Sequence, residues 1–125
     1  MKAALALIAL ALGACSATVN GPGAPIRQDG RAMLGQPTRV GQLVVTPIKL
    51  VEDSRCPMNA RCVWAGRAIV TTRIDGAGWR ETTNMELGRP YLAHGVGIQL
   101  SSVQPDKMAG QQPSPQAYVF GFTGG

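Results

Sequence analysis

Histidine occurs once in this chain of 125 residues, at position 94, and acidic side chains occur only seven times. With a single imidazole, any Ser-His-Asp chemistry would have to run through His94. That residue sits in "LAHGVG", and neither Ser101 nor Ser102 lies in a nucleophile-elbow sequence. Paired carboxylates are equally scarce, Glu52 and Asp53 being the one adjacent pair. The sequence therefore points away from an enzyme and calls for no cofactor. A Cys-x-x-Cys redox pair is missing. So is a glycine-rich phosphate loop at a strand-to-helix switch, which leaves Gly95 and Gly97 as backbone relief in a loop. No nucleic-acid-binding motif is present, and no apolar run reaches the ~20 residues that a membrane-spanning helix needs.

What is present begins at the N-terminus. Lys2 is followed by "AALALIALALGA", the charged and apolar parts of a secretory signal. The run ends in Leu12, Gly13, Ala14 and Cys15. This resembles the lipobox of bacterial lipoproteins, in which a leucine and two small residues precede the cysteine that is lipidated. The resemblance implies removal of residues 1–14 and acylation of Cys15. Ser16 stands where an aspartate favours retention in the inner membrane, so the outer membrane, with the domain facing the periplasm, is the expected location. One acyl chain gives only marginal binding, whereas several on one cysteine hold a protein at the bilayer.

Removing fourteen residues leaves 111, with eleven basic and seven acidic side chains and a net charge of +4. That is enough chain for one domain with a real core. The basic excess suits an anionic envelope component, lipid or protein, as partner. Residues 16–37, rich in Gly, Pro and small polar residues, are expected to form a flexible tether behind the lipidated Cys15, although their last part can also pack as a strand or turn. A single domain is then expected over 38–125.

Within that domain the periodic positions fit two and not three or four. "VGQLVVTPIKLVED" is strand-like, and Pro47 places it at an edge or bends it. Ala68, Val70, Thr72 and Ile74 share one face of the next run, and "DGAG" at 75–78 marks a turn into "WRETTNMEL". The spacing predicts a hairpin of 67–74 with 79–87. Val96, Ile98 and Leu100 alternate, as do Tyr118, Phe120 and Phe122. Short strands separated by Gly/Pro turns predict an all-β fold, a small antiparallel β-sandwich or barrel.

The stretch "DSRCPMNARCVWAG", residues 53–66, holds Cys56 and Cys62. With Cys15 used by the anchor, these two remain as an even pair in an oxidising compartment, where a disulfide is the default. Closing so short a loop contributes about 2 kcal/mol on the chain-entropy model. The stretch resembles a motif of small exported bacterial proteins and lipoproteins, Asp-Ser-Arg-Cys-Pro followed by Cys-Val/Ile-Trp-Ala-Gly, and the resemblance brings no activity with it. Asp53 and Ser54 can start a turn, Pro57 fixes φ inside the loop, and Trp64 can bury its ring beside Cys62. Arg55 and Arg61 are expected to point outward, where guanidinium groups suit carboxylates or phosphates.

The expected function is a non-enzymatic binding or structural role at the envelope, with Arg55, Arg61 and Trp64 as partner-binding residues. The alternative is a periplasmic copper-binding protein. Met58 and His94, with Cys56, Cys62, Met85 and Met108, include the soft ligands that suit Cu(I). The spacing of the two cysteines is not a strong zinc signature.

Overall fold

The computed structural model describes residues 25–125. The signal segment 1–14, Cys15 and residues 16–24 lie outside the described residues. Eight strands follow: β1 (Arg31–Ala32), β2 (Thr38–Val40), β3 (Leu43–Asp53), β4 (Ala68–Gly76), β5 (Trp79–Glu86), β6 (Pro90–Ala93), β7 (Val96–Gln104) and β8 (Val119–Gly124), with one 3-10 turn at Pro115–Ala117. They form two four-stranded antiparallel sheets, β2-β3-β4-β5 and β1-β8-β7-β6, stacked as a sandwich and not closed into a barrel. No helix among the described residues is long and apolar enough to cross a membrane.

Period-two alternation builds the interior. On β4, Ala68, Val70, Thr72 and Ile74 are buried, while the residues between them are partly exposed. Tyr118, Phe120 and Phe122 at β8 are buried likewise, and with Val45, Met85, Ile98 and Leu100 they make one core between the sheets. The β4–β5 hairpin pairs Ile69 with Glu86 through Gly76 with Trp79, as the turn signal at 75–78 predicts.

Pro47 sits where β3 becomes an edge. β2 covers β3 only from Leu43 to Val45, so beyond Thr46 the strand has β4 as its one neighbour. The register shifts between Pro47 and Lys49 and again between Leu50 and Glu52, bending the strand as the missing proline N–H requires.

One sequence expectation changes. The tether does not extend to residue 37. Arg27 bridges Thr38 and β1 pairs with β8, so the last part of the expected tether takes the packed alternative. Ala32 is fully buried because β8 offers it an open edge, a long-range opportunity that a Gly/Pro-rich segment does not announce. The stretch "YLAHGVGIQL" forms two strands. β6 and β7 meet at a two-residue turn in which His94 (φ 48°) and Gly95 (φ 80°) both lie in the left-handed region.

The stapled loop as candidate functional site

The segment 53–67 leaves the first sheet at the end of β3 and re-enters it at β4. Its base is pinched shut. Ser54 N–H donates to the Arg67 carbonyl at 2.8 Å, and Arg67 N–H donates to Ser54 Oγ at 3.0 Å. Gly66 packs on the Ser54 carbonyl at φ 67°, a position where any Cβ would collide. Arg67 Nε and Ser54 Oγ both donate to Glu52 Oε2 at 2.8 Å, closing the pinch from outside.

Above the pinch Cys56 and Cys62 form a disulfide, with Cα atoms 5.8 Å apart. Inside the ring Ala60 N–H donates to the Pro57 carbonyl. The ring also docks on the 105–112 loop. Met58 N–H donates to the Lys107 carbonyl at 2.8 Å, and Asn59 Oδ1 accepts from Ala109 N–H at 2.8 Å.

Arg55 does not point outward. Its Nε and Nη2 grip both oxygens of Asp53 at 2.8 and 2.9 Å, while Nη1 and Nη2 donate to the Val103 and Pro105 carbonyls at 3.0 Å. Asp53 also accepts from the Tyr118 hydroxyl at 2.7 Å, and Lys107 Nζ donates to the Asp53 carbonyl at 2.6 Å. The Asp53 and Arg55 side chains are only 8% and 16% exposed. Burial alone would raise the Asp53 pKa. The hydrogen bonds from Arg55 and Tyr118, with the Arg55 charge, outweigh it and hold the carboxyl at about 2. Asp53 ends β3 in the first sheet and Arg55 follows it, and the groups they reach belong to β7 and to the connection that leads into β8. This cluster therefore joins the two sheets at one end of the sandwich. Four of the five guanidinium N–H groups are thus engaged within the chain.

Trp64 is not buried. Its side chain is 60% exposed, with Val63 at 99% and Met58 at 72%. Residues 63–65, between Cys62 and the pinch at Ser54 and Arg67, are all exposed. Arg61 is exposed, as expected. Met58, Arg61, Val63 and Trp64 are thus the large side chains that the loop exposes. Sequence reasoning missed Val63 and Met58 as surface groups and Tyr118 and Lys107 as supports. The available signal was the Asp-x-Arg spacing, which puts opposite charges on one side of an extended chain.

Met58 and His94 are not brought together. The stapled loop is tied to the end of β7 at Val103, whereas His94 precedes its start at Val96. Seven residues of strand, at about 3.3 Å each, separate those two points. His94 instead stacks on Trp79, with ring centroids 4.0 Å apart, and its Nε2 lies 3.8 Å from Glu81 Oε2. Glu81 Oε1 accepts from the Tyr91 hydroxyl at 2.6 Å. Cys56 and Cys62 are closed to metal by their own bond. Among the described residues no three His, Cys, Asp or Glu side chains converge as metal ligands would.

A cleft of about 400 Å³ opens beside the base of the loop, lined by Val51, Ile69, Met85 and Tyr91 among others. The charges on its walls are paired with each other, Arg67 with Glu52 and Arg89 with Glu86. It offers a ligand no free charge. Comparison with protein-family models, with curated proteins and with solved structures finds no match.

Proposed function

We propose that this chain is an envelope lipoprotein, held by an acylated Cys15 at the outer membrane and facing the periplasm, whose stapled loop makes a non-enzymatic contact with an envelope component. The observation that carries the proposal is the division of labour within the loop. Asp53, Ser54, Arg55 and Gly66 fix it to the frame, and the disulfide and the 105–112 loop stiffen it. Met58, Val63 and Trp64 nevertheless stay in water beside Arg61. A rigid loop that exposes a tryptophan and a fully solvated valine has the composition of a contact surface, since aromatic, methionine and arginine side chains are enriched where proteins bind.

The partner-binding set is accordingly Arg61 and Trp64 with Val63 and Met58, and Arg55 supports it from below. Arg61→Ser and Trp64→Ser should each lower capture of the partner in whole-cell crosslinking by several-fold while leaving the free energy of urea unfolding within ~0.5 kcal/mol of the parent. Undiminished capture by the Arg61→Ser, Trp64→Ser double variant overturns the assignment of the apex. The copper alternative would need Met58 and His94 in one site, and their placement at opposite ends of the sandwich speaks against it.

A further inference from the structure

The apex of the stapled loop is apolar, protruding and free of negative charge. No Asp or Glu occurs from Ser54 to Arg67. The acids that precede it, Glu52 and Asp53, are paired with Arg67 and Arg55. Asp106, on the supporting loop, is the exposed carboxylate of that neighbourhood. Arg61 takes part in no ion pair or side-chain hydrogen bond among the described residues, so the free charge carried by the ring itself is positive.

We infer that this apex seats in the surface of an anionic lipid bilayer, Val63 and Trp64 entering the boundary between headgroups and acyl chains and Arg61 meeting lipid phosphates. The inference deepens the proposed function and rests on its placement of the chain at a membrane. Three observations favour a bilayer over a folded protein partner. Val63 is 99% exposed, so its own chain supplies no rim around it. Protein hot spots sit in pockets ringed by contacts that exclude water, whereas a bilayer accepts a protruding side chain without matching its shape. A tryptophan beside an aliphatic residue and a guanidinium is the combination that suits the membrane interface, with the indole at headgroup level and the cation on phosphate. The reach is also sufficient. Ten residues lie between Cys15 and Ile26, eleven Cα steps that reach up to about 40 Å. Arg27 lies beside Thr38, which is paired with Val45, and eight residues of β3 lead from there to Asp53, at most about 27 Å. A chain anchored at Cys15 can therefore set the loop on the same leaflet.

The test uses the full chain extracted from membranes and reconstituted into phosphatidylethanolamine/phosphatidylglycerol vesicles, with brominated acyl chains as the fluorescence quencher. Intact mass is measured on the same preparation. Bromine quenches only at close range, so tethering alone leaves an indole in the aqueous phase unquenched. The account expects strong quenching in the parent, its loss in Trp64→Phe, and a drop of several-fold in Val63→Ser and in phosphatidylcholine vesicles. Trp79, the other tryptophan, is stacked on His94 away from the loop and serves as the internal reference. An acylated protein whose Trp64 stays unquenched overturns the inference and leaves the anchor intact. Quenching of Trp64 in a chain without acylation supports the inference and overturns the anchor. A photo-crosslinker at position 63 that captures a discrete protein in cells, in place of lipid, also overturns it.

Discussion

Asp53 and Arg55 are two residues apart on an extended segment, and their charges meet because alternate side chains share a side. What the pair does was not legible, since the carbonyls of Val103 and Pro105 arrive from 48 and 50 residues further along and Tyr118 from 65. The consequence is thermodynamic. Asp53 titrates at about 2 in the folded chain against an ordinary 3.8, so the folded state binds its proton more weakly than the unfolded state does. The pair contributes stability that is complete above pH ~4 and is lost as pH falls through about 2, amounting to about 2 kcal/mol. Urea midpoints recorded from pH 6 to pH 2 should show this acid limb in the parent and a flatter one in Asp53→Asn. Arg55→Ala leaves a buried carboxylate unpaired and should cost about 3 kcal/mol. The milder Tyr118→Phe, which removes one hydrogen bond to a charged group, should cost about 1.5 kcal/mol.

At the scale of elements, the β4–β5 hairpin was legible, although β4 runs two residues past the expected 74 and the turn narrows to Ala77 and Gly78. Alternation at Ala68–Ile74 and a glycine-bearing turn specify one pairing and one buried face. The β6–β7 hairpin was not, because histidine is not a signature residue for a turn that needs positive φ at both central positions. β1 was only half legible, since two residues become a strand through the edge that β8 offers them. In the stapled loop the disulfide was legible from the cysteine count and the inferred compartment, but its orientation was not. The inward turn of Arg55 and the outward turn of Trp64 both follow from the pinch at Ser54, Gly66 and Arg67. Gly66→Ala should therefore strain that pinch by about 1–2 kcal/mol from backbone conformation alone, before the collision with Ser54 is counted. Removing the staple in a Cys56→Ser, Cys62→Ser double variant should cost about 2 kcal/mol and leave the sandwich folded, checked by urea unfolding and far-UV circular dichroism.

At the scale of the molecule, the core and the contact loop are separate structures. Phe120, fully buried between the sheets, holds the sandwich, and Phe120→Ala should cost about 4 kcal/mol wherever the protein is located. The loop contributes little to that core and presents Met58, Arg61, Val63 and Trp64 at one end. In the proposed function, acylation at Cys15 gives this domain its location. The measurement that bears most directly on this account is the intact mass of the protein taken from membranes, alkylated before any reduction. The account predicts a chain that starts at Cys15, carries acyl groups there, and has no alkylation at Cys56 or Cys62. A chain that keeps residues 1–14 or lacks acyl mass, or one in which Cys56 and Cys62 alkylate freely, would contradict it.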